Sequence, residues 1–233
     1  MKTKLITMLV LGLSLLTYSQ DTLQDPYVNI KSFTTLEYGL GITYTDSRNA
    51  DLGNYKLVKG EYSPSFNMGL FYTKTNILKD PTFIMNIKTG LFTNNNYTNV
   101  TDSLGKELTF SELNLTLPLM IGIRLPVNYN RPQDRFYKAV NLNIGGYVSL
   151  PILPSLYNSD EKYSESNGFL SDYIKFGFIA EFVFTAVNKE GKGHRIGIRT
   201  IADLGSAVTF SNEKYGIQPT YGTIGLFYNF ITL

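Results

Sequence analysis

Cysteine and tryptophan are both missing from this 233-residue chain, and histidine occurs once, at His194. Without cysteine there is no disulfide framework, no thiolate metal centre and no residue for a lipid anchor behind a leader. Beyond the first 19 residues no stretch approaches 18 consecutive apolar residues, which excludes a bundle of membrane-spanning helices. An excess of one charge is lacking as well. Setting aside Lys2 and Lys4 brings the 21 basic residues level with the 19 acidic ones, and nothing recommends nucleic acid as a partner. No Gly-rich phosphate loop, nucleophile elbow or His–carboxylate ligand spacing occurs, so neither a cofactor nor a metal is expected.

What is present begins with an export leader. Lys2 and Lys4 precede an apolar run from Leu5 to Leu16, then Thr17-Tyr18-Ser19, with small residues at −3 and −1 of a cut after Ser19. Residues 1–19 are expected to be removed, leaving a short periplasmic lead over 20–34 and one barrel domain over 35–233. The full chain is rich in Tyr (17), Phe (15) and Gly (20).

From Leu113 to Leu125 every second residue is apolar, through Leu115, Leu117, Leu119, Ile121 and Ile123. Between them stand Asn114, Thr116, Pro118, Met120, Gly122 and Arg124. Alternation of period two marks an extended strand with one greasy face. Twelve steps of about 3.3 Å span about 40 Å, twice an ordinary strand. Tilted by about 40°, that face forms a band about 30 Å tall, the height of a bilayer's hydrocarbon core.

Seven further segments alternate in the same way, near 35–45, 62–74, 82–93, 139–150, 172–187, 194–204 and 219–231, with the long strand over 108–125. Connections near 46–61, 94–107, 151–171 and 205–218 are long and polar, whereas 75–81 and 188–193 are short. This predicts an eight-stranded antiparallel transmembrane β-barrel, an up-and-down meander in a Gram-negative outer membrane, with both termini periplasmic. The 126–138 segment, with Pro126 and Pro132, is longer than a periplasmic turn should be. A secreted soluble barrel is the rival. Strand length, a polar face mixing glycine with charge, and a final strand at the C-terminus favour lipid. Tyrosine must then supply the interfacial girdle that tryptophan often provides.

Four stretches resemble the PorT-like outer-membrane β-barrel family of Bacteroidetes. Glu112 to Leu119 resembles its strand with a Leu-Glu-Ile-Pro-Leu-Leu core, and Val140 to Leu150, with Gly145-Gly146-Tyr147, resembles the strand that follows. Lys175-Phe176-Gly177 resembles its Asp-Phe-Gly strand, and Glu37 to Thr43 its glycine-rich opening strand. Asn114 and Lys175 stand where that family carries acids. The resemblance implies a barrel in the outer membrane and, through the member that names the family, a link to secretion machinery.

Nine charges fall on the predicted inner face: Glu37, Lys88, Glu112, Arg124, Lys175, Glu181, Arg195, Arg199 and Asp203. Eight strands leave a bore that side chains fill, so these are expected to form a structural ion-pair network. Pro118, mid-strand, must fall at a bulge or leave one carbonyl without its ladder partner. His194 is the one neutral-pH base, placed by the alternation at the periplasmic start of the seventh strand, and no catalytic set surrounds it. Tyr157, Tyr163 and Phe169 in the long 151–171 loop are candidate anchors for a partner. The expected surroundings are outer-membrane lipid and other outer-membrane or periplasmic proteins. The leading expectation is a non-enzymatic accessory or structural subunit of an outer-membrane assembly. The alternatives are a narrow channel, a transporter of small apolar ligands, or a stand-alone surface-loop adhesin.

Overall fold

A computed structural model of the chain describes residues 32–51, 56–57, 62–75, 84–127, 136–158, 163–166, 173–188, 192–208 and 218–232. Among them are ten strands: β1 (Ser32–Asp51), β2 (Lys56–Leu57), β3 (Tyr62–Thr75), β4 (Ile84–Thr101), β5 (Glu107–Pro126), β6 (Phe136–Asn158), β7 (Tyr163–Ser166), β8 (Tyr173–Asn188), β9 (Lys192–Val208) and β10 (Gln218–Thr232). Eight of them are staves. Each of β1, β3, β4, β5, β6, β8, β9 and β10 pairs antiparallel with the next, and β10 returns to β1, with Leu40 opposite Leu226. The result is a closed eight-stranded up-and-down barrel, in which β2 and β7 are short additions to β4 and β6. Closure leaves the staves no free edge to template aggregation.

The alternation of the sequence survives as an alternation of faces. Leu36, Tyr38, Leu40, Ile42 and Tyr44 of β1 point out, while Thr35, Glu37 and Thr43 are buried inside. The pattern repeats around the barrel, so that Leu40 (70% exposed), Ile144 (68%) and Leu119 (61%) stand bare while Lys88, Glu37 and Arg195 are shut off from solvent. This is the reverse of a water-soluble barrel, whose large apolar side chains fill the middle.

Both ends of the described chain lie at one rim, with the connections that follow Thr75, Val127 and Asn188. The opposite rim carries the connections after Asp51, Thr101, Asn158 and Val208, and there the strands run further than the sequence suggested. The polar stretch expected as a loop over 94–107 is mostly strand: β4 continues to Thr101 and β5 resumes at Glu107. Asp102 closes the tip, accepting from the backbone N–H of Leu104 (2.8 Å) and Lys106 (2.9 Å), and Gly105 takes the left-handed φ of 81° that the turn needs. β6 likewise runs on to Asn158, inside the expected 151–171 loop, helped by a bulge at Leu153 (φ 50°). At the other end β1 begins at Ser32, so the last three residues of the expected lead are already strand. The expected leader over 1–19 and Phe169 lie outside the described residues.

Pro118 is accommodated without a bulge. Pairing of β4 with β5 lapses opposite Leu117 and Pro118 and resumes in the same register, from Thr89–Leu119 to Phe92–Thr116. The Thr89 hydroxyl donates to the Pro118 carbonyl (2.8 Å), bridging the gap that a residue without N–H leaves in the ladder.

Four aromatic rings that point inward each lie across the barrel wall from a glycine: Phe92 from Gly69, Phe71 from Gly90, Phe227 from Gly197 and Tyr147 from Gly177. The missing side chain is the room the ring occupies. A Cβ at Gly197 would meet Phe227 Cζ at 2.7 Å, and one at Gly177 would meet Tyr147 Cζ at 2.7 Å. Gly177→Val is therefore expected to displace Tyr147 and lower stability by about 1–3 kcal/mol, read as a shift of the urea midpoint in detergent. A midpoint equal to that of the unaltered chain would show that the ring does not depend on this space.

Candidate functional site: the charged bore and the two rims

The nine charges expected inside are all there, but as two clusters and one outlier rather than a single network. The larger cluster is built on two carboxylates. Glu37 Oε1 lies 2.7 Å from Lys88 Nζ, Glu181 Oε2 lies 2.9 Å from the same nitrogen, and the Arg199 guanidinium bridges both acids. Arg199 Nε also donates to Glu181 Oε1 at 2.8 Å. Arg195 adds a third cation, its Nη1 3.6 Å from Glu37 Oε1. The remaining carboxylate lone pairs accept from Thr35 (3.2 Å), Asn229 (3.2 Å) and Asn143 (2.9 Å). Each carboxylate is thus saturated, the condition under which buried charge is tolerable.

Aromatic faces cover the cations. Lys88 Nζ sits 4.3 Å from the centre of the Phe71 ring, and the Arg199 guanidinium lies 4.6 Å from Phe71 and 4.5 Å from Phe227. These are cation–π contacts in a dry setting, where they are worth most. Phe71 and Phe92 stack at 5.6 Å and join Met120, Tyr147, Ile179 and Ile201 in an apolar plate across the bore.

Beyond the plate, toward the long-loop rim, lies the second cluster. Lys175 pairs with Glu112 and lies 3.8 Å from Asp203 Oδ2. The Tyr173 hydroxyl donates to Glu112, the Tyr147 hydroxyl to Asp203, and the Tyr221 backbone N–H to Asp203 Oδ2 (2.9 Å). Arg124 is the outlier. Its Nε donates to Asn141 (2.8 Å), which passes a bond to Thr185 (3.0 Å), near the short-loop rim. Arg124 and Arg195 flank the Phe33 ring at 5.4 and 5.2 Å. Charge is therefore uneven along the bore: the larger cluster holds three cations against two acids, the upper one two acids against one cation.

The alternation located every charge but not the groups that serve them. Tyr147 and Phe227 stand at even spacing from Asn141 and Asn229 and so turn inward, but that each ring lies opposite a glycine follows only from the register. Tyr173 and Tyr221 sit at the ends of their segments, where periodicity is weakest. Thr35, Asn143 and Asn229 are ordinary polar residues until the barrel closes around them.

His194 points outward at the short-loop rim. Its Nδ1 lies 2.6 Å from the Tyr228 hydroxyl, and its ring packs on Tyr228 and Phe230. That is an aromatic cluster of the kind found at membrane interfaces, and among the described residues no carboxylate joins it. At the other rim Tyr44 and Tyr62 pair at 5.4 Å, again on the outside. Of the loop residues, Tyr157 is exposed on β6, Tyr163 lies in β7, and Phe169 is beyond the described residues. Among the described residues no group of three or more His, Asp or Glu side chains is placed to hold a metal ion.

No family model matches the chain, and none of the curated proteins compared with it does either. Among solved structures it is similar to Ail, the attachment invasion locus protein of Yersinia pestis, in complex with the heparin analogue sucrose octasulfate. That match has 13% identity and a TM-score of 0.34, over 87% of this chain and 99% of Ail. It is also similar to the outer membrane protein OprG from Pseudomonas aeruginosa, with 11% identity and a TM-score of 0.35, over 86% of this chain and 94% of OprG. Likeness at this level assigns no activity.

The larger cluster makes a stability prediction of unequal parts. Glu181→Ala leaves Lys88 and Arg199 short of one carboxylate in a dry bore, and a loss of about 3–5 kcal/mol is expected. Removing Lys88 and Glu181 together, as Lys88→Met with Glu181→Met, keeps the Glu37–Arg199 pair and should cost much less. Urea titrations of the two variants, folded in detergent micelles, compare them directly. Equal losses would mean that Lys88 carries no penalty once Glu181 is gone.

Proposed function

We infer that this chain is an integral outer-membrane β-barrel without enzymatic activity, serving as an accessory or structural subunit of a larger outer-membrane assembly. The observation that carries the membrane reading is the inversion of the barrel: a continuous belt of bare Leu, Ile and Phe outside, nine charges inside. Exposed apolar area on that scale has no stable home in water. The belt is bounded at both rims by Tyr, Phe and His, which prefer the interface. The rim that holds both ends of the described chain and the short connections then faces the periplasm, and the long connections face outward.

The subunit reading rests on what the bore leaves for function. Phe71, Phe92, Lys88, Arg195, Phe227 and Met120 are all under 2% exposed, so the interior is packed side chain rather than passage. A channel is accordingly disfavoured. His194 faces the belt's edge against Tyr228 and Phe230, and among the described residues no carboxylate partners it, which disfavours lipid-modifying catalysis. What remains is the outer wall, the long-loop rim and the periplasmic end. The resemblance to PorT-like barrels supports a place beside secretion or membrane-protein machinery. A stand-alone adhesin is the second reading, favoured by the extension of β4, β5 and β6 beyond the belt.

Three measurements test this. Leu119→Arg is expected to cost about 2–4 kcal/mol of folding into vesicles, whereas Leu104→Arg at the hairpin tip (89% exposed) should cost nothing measurable. Equal tolerance of both would remove the belt. Reconstituted protein should conduct no better than empty vesicles, and discrete channel openings would return the chain to the transporters. Purification in mild detergent from native outer membranes should bring along a stoichiometric partner, identified by mass spectrometry. A clean, heat-modifiable monomer would sink the subunit reading.

A further inference from the structure

Above the apolar belt the wall of the barrel continues in a three-stranded tongue. β4, β5 and β6 project past the point where β3 leaves β4, at Asn67–Asn94, and carry β2 and β7 at their edges. Side chains cover the parting: the Phe66 N–H donates to Asn95 Oδ1 (2.7 Å) and the Ser63 hydroxyl to the Tyr97 carbonyl (3.1 Å). The inward face of this tongue holds a small apolar cluster, Val100, Phe110 and Leu156, buried together. Its outward face is a direct continuation of the belt, but the chemistry changes.

Two rows of that face lie nearest the belt. Tyr97, Ser111 and Ser155 stand side by side in one, and Asn99, Thr109 and Tyr157 in the next. The floor is tied flat, since Ser111 and Ser155 share a hydroxyl bond of 2.6 Å and Thr109 donates to Asn99 at 2.7 Å. The two tyrosines are 40% and 41% exposed, the largest side chains on the face. They lie two strands and one row apart, a diagonal of about 12 Å from ordinary strand spacings. Neither row contains a Lys, Arg, Asp or Glu.

We propose that this face binds the neutral sugars of glycolipid headgroups in the surrounding outer leaflet. Tyrosine rings stack on the C–H faces of pyranose rings, and a diagonal of this length underlies more than one ring. Serine, threonine and asparagine exchange hydrogen bonds with sugar hydroxyls in either direction. Within these two rows no cation stands ready for phosphate, which calls for Arg or Lys, and the exposed Lys56 in the row beyond shares that row with the acid Glu107. Position fixes the source. The face looks sideways from directly above the belt, into the layer where headgroups of adjacent lipids stand. A polysaccharide arriving from the medium would meet the hairpin tip first. The proposal rests on the outer-membrane reading above.

The test uses the full chain folded into nanodiscs of phosphatidylcholine doped with digalactosyl diacylglycerol or with phosphatidylglycerol. Lipids retained after release are counted by native mass spectrometry. The unaltered chain should enrich the galactolipid, and the double variant Tyr97→Ser/Tyr157→Ser should lose on the order of tenfold of that preference. Both substitutions lie on an exposed face, so the variant should stay folded and heat-modifiable. Equal enrichment by both proteins, or enrichment of phosphatidylglycerol over the galactolipid, overturns the proposal. Soluble maltoheptaose binding as tightly as the galactolipid overturns the assignment to membrane lipid. Failure of the unaltered chain to enter nanodiscs at all would instead overturn the outer-membrane reading.

Discussion

An eight-stranded bore is too narrow to hold both charge and water freely, and most of this structure follows from that limit. Every inward position must be filled by its own side chain. A cation placed there needs its carboxylate within hydrogen-bonding reach, because the desolvation of an isolated ion would exceed the margin by which the fold is stable. Glu37 and Glu181 meet that need for Lys88 and Arg199, with Asn143, Asn229 and Thr35 occupying the lone pairs left over.

The same limit explains the glycines. A ring as large as Phe227 fits inside only if the residue across the wall gives up its side chain, and Gly197 does so. Repeated at Gly69, Gly90 and Gly177, this pairing lets four rings enter a bore that would otherwise be overfull. Those rings serve the charges in turn, since Phe71 and Phe227 lie over both Lys88 and Arg199. Glycine, ring and ion pair form one packing solution, and each member makes sense only with the others.

Much of this was legible beforehand because period-two alternation is a property of single strands. Leu36 to Tyr44 and Leu113 to Leu125 declared their outer face without reference to any neighbour. Which acid meets which base was not legible. Glu37 finds Arg199 across 162 positions of sequence, and that partnership depends on register, which the alternation leaves open to any even shift. The tongue was missed for a related reason. Asn94, Asn96, Thr98 and their neighbours carry no apolar signal, so a stretch that is strand by pairing reads as loop by composition. Pro118 pointed the right way: it costs a ladder bond, and where the pairing lapses the hydroxyl of Thr89 donates to its carbonyl.

Glu37 belongs to the first stave, while Arg199 and Asn229 belong to the last two. Such contacts span almost the whole chain and are among the slowest to form. Until β10 reaches β1, Glu37 lacks Asn229 and the bore is open along that seam. An unfinished sheet of seven staves would thus carry its ions with partners missing, while the eighth supplies the ladder and the last ligands together. The ion cluster acts as a clasp whose two halves are at opposite ends of the chain. It favours the completed cylinder over any partly rolled sheet, and ties commitment of the fold to arrival of the C-terminal strand.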